Sequence, residues 1–425
     1  MSAFTPFSSS NIPENMSMCV KGLLKDQDVA FCGSGCNEEG EKFNWGVVLD
    51  GHGTHLFINL MREQNWQLIM TSNNPWKTLN EILEQIQHTY GFCSGSTLLM
   101  LRTFSESTNR RIETITVGDS ELVVFKNGKQ IYKNTPHNMN NPSEVERLQT
   151  LPSNIFMKFK PSRHYIPQIA GNTFLQAKRG GYFHFANTEI AMSQAIGQNN
   201  ITGYAPEFNV ISFTEEDHMR VVMGSDGLFE MLLLKENILP ISKMNKIELE
   251  QLQMEIATIP IPTFTSITSI TITSELILNI IENITRENIN MDPAFVKHIT
   301  EEENAQILLL SVEHFIQTVI ITDENDKVDV TETEKQTLRE IINLILLNEK
   351  VQTRLKFIKE QIINIQEDMV DLLTKTATEL VDKTEARWAQ PWIYHYDPNN
   401  HSSLMDDTSF PCDSYDDISC IVWQN

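Results

Sequence analysis

Positive charge is what this sequence has least of. Lys and Arg together number 33 against 56 Asp and Glu, a formal net charge of −23 over 425 residues. Nucleic-acid binding needs a basic face, and anionic membrane surfaces attract basic segments, so neither partner is expected. Cysteine is also sparse. The six thiols (Cys19, Cys32, Cys36, Cys93, Cys412, Cys420) are too few for a disulfide scaffold. Cys32 and Cys36 lie close together, but no second Cys or His pair completes a zinc set. Unpaired thiols in a reducing compartment are the expectation. No apolar run reaches the ~20 residues that span a bilayer, and Met1 to Asn11 lacks the charged-then-apolar pattern of a signal peptide. These absences lead us to expect a soluble, cytoplasmic protein. The length allows a sizeable core in one large domain or two ordinary ones. A chain this acidic can still act on an anionic substrate if metal cations supply the local positive potential.

What is present is organised around Val47-Val48-Leu49-Asp50-Gly51-His52-Gly53-Thr54. The aliphatic run predicts a buried strand, punctuated by glycine. Its aspartate is expected where the strand emerges into a loop, beside glycines that let backbone approach a ligand. An Asp so placed, with a bare carbonyl next to it, is a hard-cation ligand set.

Residues 1–20 read as a flexible lead-in. Helical spacing predicts one helix from Thr54 to about Ser72 and another from Lys77 to His88. Gly95 to Leu101 reads as a small-residue turn leading into a buried strand, and Ile112 to Val117 as a further strand ending in Gly118-Asp119-Ser120. Asn127-Gly128 between Leu122–Phe125 and Gln130–Tyr132 is a strong hairpin signal. Val221-Val222-Met223 predicts a short strand ending at Ser225-Asp226-Gly227, with a helix from Leu228 to Leu234. Residues 239–385 change character, becoming rich in Ile, Asn, Thr, Glu and Lys, and read mainly as helices: 247–256, 274–287, 305–319, 333–347 and 351–387. Ser414-Tyr415-Asp416-Asp417 then opens a last strand, Ile418 to Trp423. Hairpins with interposed helices imply an α+β protein with antiparallel sheet.

Asp28, Asp50, Asp226 and Asp416, with Asp119 a fifth, thus stand at strand ends or turns. If they converge they cannot do so bare. Two carboxylates about 5 Å apart repel by roughly 3 kcal/mol at an effective dielectric near 20. Protons or divalent cations must offset that, and an oxygen-only set favours Mg²⁺ or Mn²⁺ over zinc. His52 could serve as a general acid.

In order and wording, Asp50-Gly51-His52-Gly53, Ser94-Gly95-Ser96-Thr97, Val117-Gly118-Asp119-Ser120, Ser225-Asp226-Gly227-Leu228-Phe229 and Asp416-Asp417-Ile418-Ser419 resemble the metal-dependent serine/threonine protein phosphatases of the 2C type. Ile190 to Gly197 is similar to a further family segment. The resemblance implies a four-layer αββα sandwich of two antiparallel β-sheets flanked by helices. The catalytic core would be 21–238, a helical insertion 239–385, and the return to the core 386–425. It implies that Asp50 bridges two metal ions, that the Gly51 carbonyl ligates one, and that Asp226 and Asp416 complete a shell. Asp28 would hold metal-bound water, Asp119 a third, weaker ion, and His52 would be the general acid. The implied substrate is a phosphoprotein, and the insertion could bind a protein partner. Departures are visible too. Leu23 stands where the family often has a phosphate-gripping Arg, leaving Lys21 and Lys25 as candidate substrate contacts. Glu121 replaces an Arg, and Gln194 and Gln198 stand in a segment that usually ends Arg-Ala-(Leu/Ile)-Gly-Asp. These departures keep a second expectation open, a catalytically impaired relative acting as a binding scaffold.

Overall fold

The structure is a computed structural model. It describes residues 12–23, 25–86, 94–138, 141–150, 191–198, 202–232, 367–389 and 416–425, several short strands elsewhere, and a few positions near 336–340. The chain divides into two compact units, Met1–Leu232 with Met369–Asn425, and Leu233–Asp368. The helices expected at 247–256, 274–287, 305–319 and 333–347 lie outside the described residues, apart from isolated positions in the last. The same holds for most of 351–387.

The strands of the first unit are, in order, β1 (Met16–Lys21), β2 (Asp28–Cys36), β3 (Lys42–Gly53), β4 (Ser94–Ser96), β5 (Leu98–Phe104), β6 (Arg111–Val117), β7 (Glu121–Lys126) and β8 (Lys129–Lys133). They continue as β9 (Ile155–Lys158), β10 (Arg163–Ile169), β11 (Thr173–Phe174), β12 (Tyr182–Phe185), β13 (Thr188–Ile190), β14 (Ile196–Gly197), β15 (Glu207–Ser212) and β16 (Met219–Gly224). The last three are β17 (Trp392–Tyr396), β18 (Ser403–Leu404) and β19 (Ile418–Gln424). The described helices of this unit include α1 (His55–Arg62), α2 (Trp66–Thr71), α3 (Pro75–Ile86), α4 (Pro142–Gln149), α5 (Asp226–Phe229) and α6 (Ala377–Trp388).

Two antiparallel sheets carry the core. One has seven strands, ordered β14-β4-β3-β5-β6-β15 with β2 also paired to β3; the other is ordered β1-β19-β16-β7-β8. Small sheets of β9, β12 and β13, and of β10, β11, β17 and β18, lie outside these two. Side chains alternate across a strand, and in β3 both faces are covered. Trp45, Val47 and Leu49 join Phe57, Met61, Trp66, Met70 and Leu79 of α1–α3. Val48 instead joins Leu99 and Leu101 against Val221, Met223, Ile421 and Trp423 of the second sheet. This is why Val47-Val48-Leu49 reads as a continuous apolar run. Each such side chain contributes about 1.5–3 kcal/mol on burial.

On the outer face of the five-stranded sheet, α6 packs against β1 and β19. It starts with a capping box of Thr376 and Glu379. Trp388 Nε1 donates to the Gly227 carbonyl at 2.8 Å, and the Arg387 guanidinium donates to the Met231 carbonyl. The layers are therefore helices, sheet, sheet, helix. Although α6 falls within the 239–385 stretch that reads as an insertion, it sits on this core.

Four local expectations are corrected. Residues 1–20 are not all a flexible lead-in, because Met16–Lys21 form β1 and pair along their length with β19. The single helix from Thr54 to Ser72 is two, because the Asn65 side chain accepts from Leu68 N and caps α2 afresh. The helix expected over Leu228–Leu234 starts earlier and is short, α5 spanning Asp226–Phe229. And β3 does not stop at Asp50. It pairs with β5 over Asn44–Val48, then takes β4 as its partner over Gly51–Gly53. The hairpin at Asn127-Gly128 forms as expected, with φ of +52° and +76°, the left-handed pair a type I′ turn requires.

Candidate active site

The acidic residues meet at one end of the two sheets. Asp28 opens β2 directly opposite Asp50 of β3. The Asp50 backbone is pinned on both sides: its N–H donates to Thr97 Oγ1 at 3.2 Å, and its carbonyl accepts from Thr97 N at 2.9 Å and Ser96 Oγ at 3.0 Å. Thr97 Oγ1 in turn contacts Ser120 Oγ at 2.7 Å, which fixes the turn holding Asp119. Asp226 is the first residue of α5, after Ser225, whose hydroxyl accepts from Ser419 N at 3.0 Å. That bond joins the Asp226 turn to the start of β19 and hence to Asp416.

The neighbouring carboxylates Asp416 and Asp417 have separate tasks. Asp417 is 1% exposed. It accepts from the backbone N–H groups of Leu23 at 2.8 Å, Lys25 at 3.3 Å and Gln27 at 2.6 Å, shaping the turn before β2. Asp416 instead receives the Lys25 ammonium at 2.6 Å. Gly227 allows the close approach this needs, since a Cβ there would lie 2.1 Å from the Asp417 carbonyl oxygen.

Burial, followed by the charges of Asp226, Asp28, Asp416 and Asp119, pushes Asp50 well above the usual carboxylate range. Asp119 is raised first by burial and then by Asp226. Burial also raises Asp28, to about 8; the Ser225 hydroxyl works against that and Asp416 adds to it. Lys25 is held above its ordinary value. Burial of its ammonium lowers it, but Asp416, Asp226 and Asp50 together outweigh that. The carboxylates act on one another and on one ammonium, so the five aspartates form a single electrostatic unit.

His52 lies at the rim, in β3 rather than in a loop. Its Nε2 accepts from the Gln198 side-chain amide. Both reach this position because residue 95 is glycine, where a Cβ would lie 2.7 Å from Gln198 Cγ and 2.8 Å from His52 Nε2. Burial and then the Lys25 charge lower His52 to about 4, so in this arrangement the ring is neutral near pH 7. Lys21 is not part of the group. It pairs with Glu385 of α6 at 3.0 Å on the surface, and Glu385, with Asp382 of the same helix, holds its ammonium above the ordinary value. The segment with Gln194 is held by α4: Gln194 Nε2 donates to Glu144 at 2.7 Å, and Glu144 pairs with Arg147 at 3.0 Å.

The donor chemistry fits a hard divalent cation. All the charged donors are oxygen, and Asp28 Oδ2 and Asp119 Oδ1 are buried with no hydrogen-bond partner among the described residues. Buried acceptors left so are costly unless something positive satisfies them. Among the described residues, however, no three His, Cys, Asp or Glu side chains stand in ready-made ligating geometry. Among the described residues, the cation at the centre is the Lys25 ammonium.

Residues 34–239 match the family model of protein phosphatase 2C. This segment is a protein phosphatase 2C domain. The match contains Asp50, His52, Asp119 and Asp226, while Asp28 and Asp416 flank it. Protein phosphatase 2C 3 of Arabidopsis thaliana is 29% identical over 143 residues, covering 32% of this chain and 26% of that protein. The chain thus spans about a quarter of the curated relative it matches. Among solved structures, a C. elegans sex determining protein overlaps at TM-score 0.37 and 17% identity, covering 58% of this chain and 56% of its own. The S. agalactiae serine/threonine phosphatase overlaps at TM-score 0.31 and 19% identity, covering 54% and 86%. Overlaps this partial carry no weight beside the chain's own strand pairing.

Asp28, Asp50, Asp119, Asp226 and Asp416 all stand out in the sequence, and in the structure their charges act on one another. Sequence reasoning did not find the turn-holding role of Asp417, the Ser225–Ser419 link or the contact of Gln198 with His52. The Asp416-Asp417 doublet was the available signal for the first: adjacent residues point in different directions, so only one of the pair can face the site.

Proposed function

We propose that this chain is a protein serine/threonine phosphatase that uses two divalent ions, Mg²⁺ or Mn²⁺, to hydrolyse phosphoserine and phosphothreonine. The observation that carries the reading is the gathering of Asp28, Asp50, Asp226 and Asp416 around one buried site within and beside a protein phosphatase 2C domain. Asp50 and the Gly51 carbonyl would hold the ions with Asp226 and Asp416. Asp28 would orient water through its partnerless Oδ2, and Asp119 would serve a third, weaker ion. The ions, when bound, neutralise phosphoryl charge and make a water acidic enough to attack phosphorus near neutral pH. The protein supplies the rest. Thr97 and Ser96 fix the Asp50 carboxylate by clamping its backbone. His52 donates a proton to the leaving alkoxide, which requires that it be charged when substrate is bound. A phosphate dianion beside the ring favours the imidazolium, opposing the burial and the Lys25 charge that lower it.

The test is manganese-dependent phosphate release from a phosphopeptide by the purified chain. Loss of release in Asp226→Ala is expected, and full activity in that variant would overturn the reading. The scaffold reading draws on Leu23 and on the amide of Gln198 at His52. A chain that binds no divalent ion at millimolar concentration, and turns over no phosphopeptide, would favour it.

A further inference from the structure

We propose that Lys25 is a tethered counter-ion that competes with divalent metal for the Asp416 carboxylate, so that metal binding must displace a cation built into the chain. This rests on the metal-dependent reading above and adds to it a step peculiar to this sequence.

Three observations carry it. First, the Lys25 Nζ to Asp416 Oδ1 distance is 2.6 Å, and Asp226 and Asp50 also act on that ammonium. It therefore stands among the same carboxylates that a divalent ion would need. Second, its backbone is fixed. Lys25 N donates to Asp417, its carbonyl contacts His55 Nε2 at 2.7 Å, and the next carbonyl, that of Asp26, accepts from Arg62 at 2.8 Å. Asp26 itself holds a φ of +50°, a conformation unusual for a residue with a side chain. The turn is thus held rigidly on both sides, and it delivers the ammonium to this place. Third, the Lys25 side chain is 46% exposed while Asp416 is 10% exposed. The stem borders solvent and has room to swing out; the carboxylate does not.

The ammonium thus does two things. Without metal it offsets the charge of the buried Asp416 carboxylate. When a divalent ion arrives, Lys25 must leave Asp416, and the attraction lost there is subtracted from the affinity for metal. A monovalent ammonium at one oxygen cannot match a doubly charged ion shared by several, so the metal still wins, at a higher concentration than it would otherwise need.

The experiment compares the full chain with Lys25→Met and Lys25→Arg by calorimetric titration with MnCl₂ and by thermal melts in chelator. Lys25→Met removes the charge but keeps the stem. It is expected to bind Mn²⁺ about fivefold more tightly, the scale of one partly exposed ion pair. Without metal it should melt lower than the parent, and it should gain more melting temperature on adding Mn²⁺. Lys25→Arg keeps the charge and should show neither gain. Unchanged or weaker Mn²⁺ affinity in Lys25→Met overturns the proposal. So does a raised KM for phosphopeptide with unaltered metal affinity, which would make Lys25 a phosphate contact instead. Absence of saturable Mn²⁺ binding in all three proteins would sink the metal-dependent reading itself, an outcome distinct from equal binding in all three.

Discussion

Replacing Asp417 and Asp416 one at a time separates the two adjacent carboxylates by their effects. Asp417→Ala removes the acceptor of three backbone N–H groups, those of Leu23, Lys25 and Gln27. Hydrogen bonds to a carboxylate contribute about 1.5–3 kcal/mol each when a buried donor is left without a partner. The Gln27 bond is buried and short and counts in full. The other two lie where water can partly replace the lost oxygen, so the sum is about 3–4 kcal/mol. For a unit of this size, melting temperature moves by about 2 °C per kcal/mol, which predicts a fall of about 6–8 °C. Because the chain has two units, a single melt need not be two-state. Amide hydrogen exchange at residues 23, 25 and 27 supplies the local readout: protection there should collapse in Asp417→Ala. Asp416→Ala removes one buried negative charge from a repelling group and leaves the turn's hydrogen bonds in place, so protection at those amides should persist. Equal loss of protection in both variants would refute the division of labour between the two side chains.

The raised carboxylates set a pH dependence. Asp28, raised to about 8, and Asp50 and Asp119 hold protons in the folded chain that the unfolded chain has already released. Their contribution to stability is therefore complete below about pH 4 and lost as pH rises through their folded values. His52 and His137, both lowered by burial, act in the opposite sense, but only below about pH 6.5. In chelator the melting temperature should thus fall between pH 6.5 and pH 8, and millimolar Mn²⁺ should flatten the fall; a rise over that interval would contradict the electrostatic picture. Gly227→Ala drives a Cβ into the Asp417 carbonyl and should cost about 3 kcal/mol. Gly128→Ala, with nothing within 4 Å but a φ of +76°, should cost only about 1 kcal/mol, and melts of the two variants compare them directly. Lys21→Met, on the α6 side, should leave both phosphopeptide turnover and melting temperature unchanged.

Much of this was legible in the sequence because the signals were local. Val47-Val48-Leu49 announces a strand covered on both faces, and Asn127-Gly128 can only be read as a tight hairpin. The aspartates stand out because each adjoins glycine, serine or a strand end, which places a carboxylate at a predictable corner. What was not legible depends on partners distant along the chain. The strand β3 continues past Asp50 because β4 is there to pair with it. Lys25 faces the carboxylates and Lys21 faces α6 because β1 ends between them, a matter of register that neither residue reveals alone. The split between α1 and α2 was local but quieter: Asn65 as a fresh cap interrupts spacing that otherwise suits one helix.

The position of β19 has a consequence for how the molecule is made. It lies between β1 and β16, yet it follows β16 by nearly two hundred residues. During synthesis, β1 and β16 therefore leave the ribosome with no shared neighbour, each offering a bare row of peptide groups. The second sheet can close only once residues 418–424 have emerged, and the same event carries Asp416 to the other aspartates. A nascent chain halted anywhere before that point has an open seam between two hydrophobic strands, the kind of edge on which chaperones and aggregation compete.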